Sequence, residues 1–494
     1  MLLGIDIGSS AVKAALVEPE TGVIAFEQSQ VALHSPRPGW AEADTAEWWT
    51  GVCRSVAKLV GRGGHGAGNI EAVACSGMVP AVLPLDLEGR PLRRAILQND
   101  ARATLQLDEL RQLLEDLDLV NLTGSALTQQ SVAPTLRWIA ENEPDVLEDT
   151  VQVTGSYDWV ARRLGAESHV ERNWAIESGL FKLDGSRMHE VLERAQIDGG
   201  LLPPVRDPAT VIGEVSSQAA EETGLHAGTP IVVGGADHVF SAYGAGLVAP
   251  GDWLVKLGGA GDILVVSGDP LVDERLFLDA HPAGQWLPNG CMATSGSLVR
   301  WLAGLAGGAP LEVLDDEAAR TPVGAGGVLC LPYFLGEKSP LQDPALRGAF
   351  VGLHLGHTRA HLHRAALEAV AFGFRHHVEV FRERSVALGE ARVTNGGSSS
   401  RLWKQILADV LATPLHPVLD HPGAAFGAAL AAGVGSGVLP AGWDTIRSLV
   451  RLGDPIEPQP EATRRYEELY GLYRELGGVL TPISHRLARE AFTK

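Results

Sequence analysis

Cysteine is scarce in this sequence, and no long apolar run interrupts it. The four cysteines among 494 residues include no CxxC pair, which argues against both a disulfide framework and a cysteine-based zinc site. The longest weakly polar stretch, residues 423–435, has 13 positions, whereas a membrane-spanning helix needs about 20 apolar residues. The first residues form neither the basic nor the apolar segment of a secretion signal. We therefore expect reduced thiols, a cytoplasmic location and no membrane partner.

Positive charge is also in short supply. Lys and Arg number 40 against 60 Asp and Glu, a net charge of −20 with neutral histidine. No basic run offsets this, and an acidic surface repels phosphate backbones, so the composition argues against nucleic-acid binding. The histidines of residues 357–363 and the pair His376-His377 lack the spacing of a zinc site. We expect these histidines on helix surfaces.

What the sequence does contain is the composition of a folded globular protein. Hydrophobic residues make up 45% and charged residues 20%, and the length suggests two to four domains at about 100–200 residues each. The chain opens with a predicted β-hairpin, Leu2–Ile7 and Ala11–Val17, and apolar spacing predicts a helix over Thr45–Val60. Strands and helices then alternate, which indicates an α/β fold.

The second half of the chain starts as the first does. A predicted strand, Trp253–Leu257, leads into a glycine turn at Gly258–Gly261, and a second strand returns over Asp262–Val266. The two turns begin at Gly8 and Gly258, 250 residues apart, about half the chain. Such a period indicates two similar domains rather than a solenoid. We place them at residues 1–247 and 248–494.

Both turns are candidate phosphate sites. A glycine turn offers backbone N–H groups to an anion and permits close approach. The first turn adds two hydroxyls and a charge, whereas the second has only its amides; the residues concerned are Gly8, Ser9, Ser10 and Lys13, and Gly258, Gly259 and Gly261. Asp6, at the end of the first strand, is a candidate ligand for hydrated Mg²⁺. The alternative for each turn is an ordinary hairpin.

Asp237 is the candidate catalytic base. A strand of buried type, residues 231–233, ends in Gly234-Gly235, and Asp237 then opens a helix whose N-terminus stabilises an ionised carboxylate. Such a group can accept a hydroxyl proton during phosphoryl transfer. The alternative is that Asp237 only caps the helix.

A second glycine-rich loop follows the predicted strand of residues 391–393. It comprises Asn395, Gly396, Gly397 and Ser398. A bare backbone at a strand end can accept a flat base and ribose, and the alternative is a plain turn with serine caps.

Taken together, these motifs resemble the FGGY carbohydrate kinase family, and its xylulokinase-like branch most. The most specific stretch starts at Gly348-Ala349-Phe350 and continues through His361-Leu362 to Glu368, in the spacing of the family's C-terminal signature. Residues 234–246 resemble its catalytic segment, residues 6–10 its first phosphate loop and residues 395–400 its adenosine loop. The resemblance implies two actin-like (ribonuclease H-like) α/β domains flanking a deep cleft. The implied activity is ATP- and Mg²⁺-dependent phosphorylation of a small sugar or polyol, with a homodimer as one further expectation.

The resemblance also implies a sugar site that departs from the xylulokinase pattern. The implied contacts, besides Asp237, are Met78, Val79, Asn99, Asp100 and Arg102. Val79 stands where histidine is usual and Gln98 where tryptophan is usual, so we expect a relative of xylulose to be preferred. The second turn, in addition, lacks the usual Thr-Ser. Two alternatives stay open: an actin- or chaperone-type ATPase, and a sugar-binding regulator with weakened activity.

Overall fold

A computed structural model describes residues 1–61, 66–439 and 445–491. In the first half the strands are β1 Leu2–Ile7, β2 Ala11–Glu18, β3 Gly22–Gln30, β4 Glu42–Ala43, β5 Ala72–Gly77, β6 Leu83–Leu85, β7 Ala95–Ile96, β8 Gln152–Thr154, β9 Val170–Glu171, β10 Val205–Arg206, β11 Val211–Glu214 and β12 Pro230–Ala236. The helices are α1 Thr45–Gly61, α2 Thr104–Leu113, α3 Leu119–Thr123, α4 Val132–Asn142, α5 Pro144–Asp149, α6 Ser156–Leu164, α7 Arg172–Glu177, α8 His189–Ala195, α9 Ser217–Thr223 and α10 Asp237–Gly244.

The second half has nine described strands and seven described helices. The strands are β13 Trp253–Leu257, β14 Gly261–Val265, β15 Phe277–Ala280, β16 Trp286–Met292, β17 Leu329–Leu331, β18 Ala349–Val351, β19 Ala391–Thr394, β20 Leu415–Leu419 and β21 Arg451–Leu452. The helices are α11 Gly296–Leu305, α12 Leu311–Ala319, α13 Arg359–Glu383, α14 Arg401–Leu411, α15 Ala424–Ser436, α16 Ile446–Leu449 and α17 Pro460–Ala491.

Two large sheets organise these elements, and their topologies correspond. The first has the strand order β3-β2-β1-β5-β12-β11, and the second contains β16-β14-β13-β19-β20-β21, with β15 added at its edge. In both runs the neighbouring pairs are antiparallel, antiparallel, parallel, parallel and antiparallel. The internal repeat expected from the two glycine turns is therefore present strand by strand.

The predicted opening elements are confirmed within a few residues. The two hairpins, β1–β2 and β13–β14, form antiparallel pairs at the expected positions, and the helix expected over Thr45–Val60 ends one residue later. The expectation of surface histidines is wrong for His363, His376 and His377, which are buried. Their helix, α13, is long enough to run through the second core, where its neighbours cover most of its faces.

Helix α15 explains the glycine- and alanine-rich stretch near the C-terminus. It comes from the second half but packs on β1 and β5 of the first sheet and on α10. The approach is very close: a Cβ on Gly4 would lie 1.9 Å from the backbone oxygen of Ala425, and one on Gly427 would lie 2.1 Å from that of Phe240. Small residues are needed at these contacts because larger ones would keep α15 away from β1 and from α10, the helix that begins with Asp237. A domain boundary between residues 247 and 248 gives each half of the chain a large sheet of its own. Helix α15 belongs to the second half but packs on the first, and the boundary stays a proposal.

The C-terminal helix α17 packs against α14, α13 and β17. Its tyrosines Tyr466, Tyr470 and Tyr473 are buried against Phe372 of α13, as expected for an amphipathic helix that returns to the body. None of the described helices combines the length and apolar character needed to cross a bilayer.

Candidate active site

Two neighbouring cavities lie on either side of the end of β13. One measures about 850 Å³ and the other about 280 Å³. Lys256 lines the smaller cavity, while Leu257, Gly258 and Gly259, which follow it directly, line the larger one. A group passing from one cavity to the other would therefore pass the end of this strand.

The larger cavity joins the second glycine turn to the second glycine-rich loop. Its described lining includes Gly258, Gly259, Asn395, Gly396 and Gly397. A volume of about 850 Å³ lies within the usual range of cofactor sites. These five of the eleven predicted ATP residues are thus brought together in a nucleotide-sized cavity.

The two glycines of this loop, Gly396 and Gly397, have different surroundings. A Cβ on Gly396 would meet nothing within 4 Å, whereas one on Gly397 would lie 2.6 Å from both the Leu257 Cβ and the Trp403 ring. Bulk at Gly397 would therefore collide with the protein itself. Bulk at Gly396, which also lines the larger cavity, would meet no protein atom and would take up space in the cavity instead.

The other six predicted ATP residues lie outside the described lining of both cavities. Ser9 and Ser10 are exposed at the tip of the first hairpin. The Ser398 hydroxyl donates to the backbone oxygen of Asn395 at 2.6 Å. Gly261 lies against Phe374, whose ring a Cβ would approach to 2.7 Å.

Asp237 lies in the smaller cavity at the first turn of α10. The preceding strand β12 has a register shift between Val232 and Gly235, a distortion that often re-aims residues beside active sites. The Asp237 side chain is 40% exposed, and its Oδ1 is 3.6 Å from His238 Nδ1. Desolvation in the cavity opposes ionisation of this carboxyl, but the charges of His238 and Lys256 hold its pKa below the ordinary value. Asp237 is therefore ionised at neutral pH, the state that a proton acceptor requires.

A network of polar side chains extends from Asp237 through His238. His238 Nε2 is 2.7 Å from Asp279 Oδ2, and the Asn289 amide donates to the same oxygen at 2.7 Å. Burial works against a charged His238, yet Asp279 and Asp237 raise its pKa well above the ordinary value. Glu177 completes the group, and burial, followed by the charge of Asp279, raises its pKa well above the usual range. The charges of Asp279 and Asp237 thus favour the protonated imidazole, and burial favours the protonated form of Glu177; both protonated forms are hydrogen-bond donors.

Asp6 lies close enough to the site to interact electrostatically with Asp237 and Lys256. Its Oδ2 accepts a hydrogen bond from Lys13 Nζ at 3.1 Å, while its buried Oδ1 has no partner among the described residues. Burial raises the pKa of Asp6 to about 6, against the lowering effect of Lys13. An ionisable oxygen without a partner fits a hydrated Mg²⁺ ion, a hard cation that takes oxygen ligands.

The residues predicted to contact the sugar are only partly brought together. Val79 lines the smaller cavity, as does Gln98. Met78 is buried and Asn99 is exposed, and neither belongs to the described lining.

Asp100 and Arg102 bind each other instead of facing the cavity. Arg102 Nη2 is 2.8 Å from Asp100 Oδ2 and also 2.8 Å from Glu42 Oε1. The guanidinium lies over the ring of Trp40 at 3.8 Å, and Asp100 Oδ2 also accepts a hydrogen bond from the backbone N–H of Ala41 at 2.6 Å. The pair therefore connects the segments that carry Glu42, Trp40 and Ala41 to residues 100–102.

Sequence reasoning missed Lys256, Glu177 and Asp279. A signal existed for Lys256, because it precedes Gly258 by two residues just as Asp6 precedes Gly8. Glu177 and Asp279 come from separate elements, the end of α7 and strand β15, and no local spacing links them to Asp237.

Comparison with known proteins follows the same division of the chain. The model of the FGGY family of carbohydrate kinases, N-terminal domain, matches residues 1–244, and that of the C-terminal domain matches residues 256–436. The solved xylulose kinase of Rhodospirillum rubrum is 42% identical, with a TM-score of 0.92 over 98% of this chain and 99% of its own.

Curated relatives agree over nearly full length. The xylulose kinase of Bacillus subtilis is 27% identical over 96% of both chains. The L-xylulose/3-keto-L-gulonate kinase of Escherichia coli is 30% identical over 98% of both chains. The expected α/β fold of two actin-like domains around a cleft is confirmed.

Proposed function

Because the chain belongs to the FGGY family of carbohydrate kinases, and thus phosphorylates a sugar with ATP, we propose that Asp237 is its general base and that its substrate is a small neutral ketose or polyol. A pentulose such as xylulose, or a close relative, fits best. The observation that carries the proposal is the ionised Asp237 carboxylate in a polar cavity beside a nucleotide-sized one.

In the proposed reaction the sugar hydroxyl oxygen forms a bond to the γ-phosphorus of ATP. The bond from that phosphorus to the bridging oxygen breaks, and ADP leaves with the electron pair. The hydroxyl proton passes to Asp237, which is ionised beforehand. Positioning and charge stabilisation supply most of the acceleration in such transfers, since the transition state is loose.

The nucleotide is placed in the larger cavity, with its base and ribose along Asn395–Gly397 and its phosphates toward Gly258 and Gly259. Lys13 and the first turn, Gly8–Ser10, would complete the phosphate site when the cleft closes. Bound Mg²⁺, held through water by Asp6, would neutralise phosphate charge. Closure would also exclude water and limit ATP hydrolysis.

The lining of the smaller cavity supports a neutral polyhydroxyl substrate. His238, Glu177, Asn289 and Gln98 can form hydrogen bonds to several hydroxyls, and sites of this kind reject analogues that lack one. Val79 contributes an apolar contact, which discriminates more weakly, by about 1–3 kcal/mol. This lining favours a ketose or polyol whose hydroxyl pattern matches the donors present.

A coupled ADP-release assay tests the proposal with xylulose, ribulose, erythritol, glycerol and gluconate. We expect release to depend on sugar, and Asp237→Asn to lower turnover by about 10²–10⁴-fold with ATP affinity retained. Asp108→Asn, an exposed carboxylate on α2, is the matched control and should leave turnover unchanged.

Three outcomes would contradict the proposal. Near-normal turnover in Asp237→Asn would remove the base assignment. ADP release at the same rate without sugar would indicate an ATPase. ATP binding with no release for any sugar would indicate the weakened regulator.

A further inference from the structure

Lys256 occupies the junction between the two cavities. It is the fourth residue of β13, its side chain is 10% exposed, and its Nζ lies 3.5 Å from Asp262 Oδ2 on the neighbouring strand. It lines the same cavity as Asp237, and its positive charge lowers the pKa of both Asp237 and Asp6. Residues 257–259, directly after it, line the nucleotide cavity.

The internal repeat shows what is unusual about this lysine. In the first hairpin Asp6 is directly paired across the strands with Lys13, and in the second Lys256 is paired with Asp262. The same two positions thus carry the same ion pair with the charges exchanged. The exchange puts a cation on the central strand β13, where its counterpart β1 carries the candidate magnesium ligand.

The turns differ in a complementary way. The first offers the hydroxyls of Ser9 and Ser10, whereas the second has Gly259 and Ala260 at the matching positions. The second turn therefore supplies backbone amides alone. A phosphoryl group moving past it would find no side-chain donor within the turn, while the Lys256 ammonium, with three donors, stands two residues before it.

We propose that Lys256 is a further catalytic residue, which binds a γ-phosphoryl oxygen of ATP during transfer and supplies the donor that the second turn lacks. This inference rests on the proposed function. Lys256 transfers no proton in this step: the phosphorus–oxygen bond to ADP breaks, the bond to the sugar oxygen forms and Asp237 takes the hydroxyl proton. Asp262 is a positioning residue that holds the ammonium at the junction.

Equilibrium titration of the full-length protein with MgATP and MgADP provides the first test. ADP lacks the γ-phosphoryl group, so Lys256→Met should weaken ATP binding by about 10-fold and leave ADP binding within about twofold. Turnover should fall by about 10²–10³-fold, as on removal of one preorganised donor. The charge-matched control is Lys58→Met, which removes an exposed lysine on α1 paired with Glu27. It should change neither the ratio of ATP to ADP affinity nor turnover.

A rescue variant separates catalysis from folding. Gly259→Ser with Ala260→Ser copies the first turn, and a Cβ at Gly259 would meet only the terminal nitrogen of Arg300, at 3.1 Å. Added to Lys256→Met, these two substitutions should raise turnover by at least tenfold. Added to the native chain, they should leave turnover unchanged. Non-additivity of this kind is the mark of groups that share one role.

Several results would overturn the inference. Equal losses of ATP and ADP affinity would mean a structural role. Recovery of Lys256→Met turnover at higher pH would mean that Lys256 acts only through the pKa of Asp237. Unchanged ATP affinity with unchanged turnover would mean no role. If the native protein shows no sugar-dependent ADP release, the proposed function fails, and the comparison of ATP with ADP still decides whether Lys256 contacts the γ-phosphoryl group.

Discussion

Asp6→Asn should stabilise the protein at neutral pH while it abolishes magnesium-dependent turnover. Burial raises the pKa of Asp6 from 3.8 to about 6 even though Lys13 is bonded to it. At 1.36 kcal/mol per unit, ionising this carboxyl in the fold costs about 3 kcal/mol relative to the unfolded chain. Asparagine is close in shape and carries no charge, so the variant avoids the cost.

The sign of the pH dependence follows from linkage. The folded state binds the Asp6 proton more tightly than the unfolded state, so its contribution to stability is present below about pH 4 and is lost as the pH rises through 6. Between pH 4.5 and pH 8 the native protein should lose about 2 kcal/mol through this group. The variant should not.

Thermal melts at pH 4.5 and pH 8 without magnesium check this. For a domain of about 250 residues, about 2 kcal/mol corresponds to about 4 °C, so the Tm advantage of Asp6→Asn should be about 4 °C larger at pH 8. Magnesium should raise the Tm of the native protein above pH 6 and leave the variant unchanged, because only the ionised carboxylate attracts the cation. The same Tm difference at both pH values, or an equal response to magnesium, would refute the reasoning. Lys58→Met serves as a control, since Lys58 is exposed and its loss should not alter the pH profile.

Three further predictions concern the two cavities. Gly396→Val should raise the KM for ATP with little change in Tm, whereas Gly397→Val should lower Tm because its side chain would collide with protein atoms; paired melts and kinetics show whether the two separate. Asp279→Asn should weaken His238 as a cation and so raise the Asp237 pKa, moving the acid limb of the kcat/KM profile to higher pH; an unmoved limb would contradict the network. The native enzyme should not prefer xylulose by about 100-fold over ribulose, erythritol and glycerol, and a preference that large would contradict the inference drawn from Val79 and Gln98.

The hairpins and their repeat could be predicted from the sequence because they depend on local patterns. A strand, a glycine turn and a returning strand occupy fewer than 20 residues, and the second copy lies 250 residues after the first. Asp237 could be placed for the same reason, since a strand end and a helix start flank it directly. These features need no knowledge of distant contacts.

The remainder of the site depends on contacts that local patterns do not encode. Glu177 and Asp279 are about 100 residues apart and meet at His238 only because the two halves face each other. The buried histidines of α13 follow likewise from what packs around that helix. Arg102 looks like a free cation in the sequence, but Asp100, Glu42 and the ring of Trp40 hold it in place.

The repeat also explains why the chemistry cannot be inferred from the fold alone. Matching topologies bring the ends of β1 and β13 to the same cleft, and a perfectly symmetric pair would place like charges there. Asp6 and Lys256 break that symmetry, since one is a carboxyl and the other an ammonium, each with its own cross-strand partner. In the proposed reaction the first serves a cation and the second a phosphoryl oxygen. Phosphoryl transfer needs both kinds of group at one place. On this proposal the duplicated scaffold determines where the reaction can occur, and the exchanged ion pair gives the two sides of the cleft different roles.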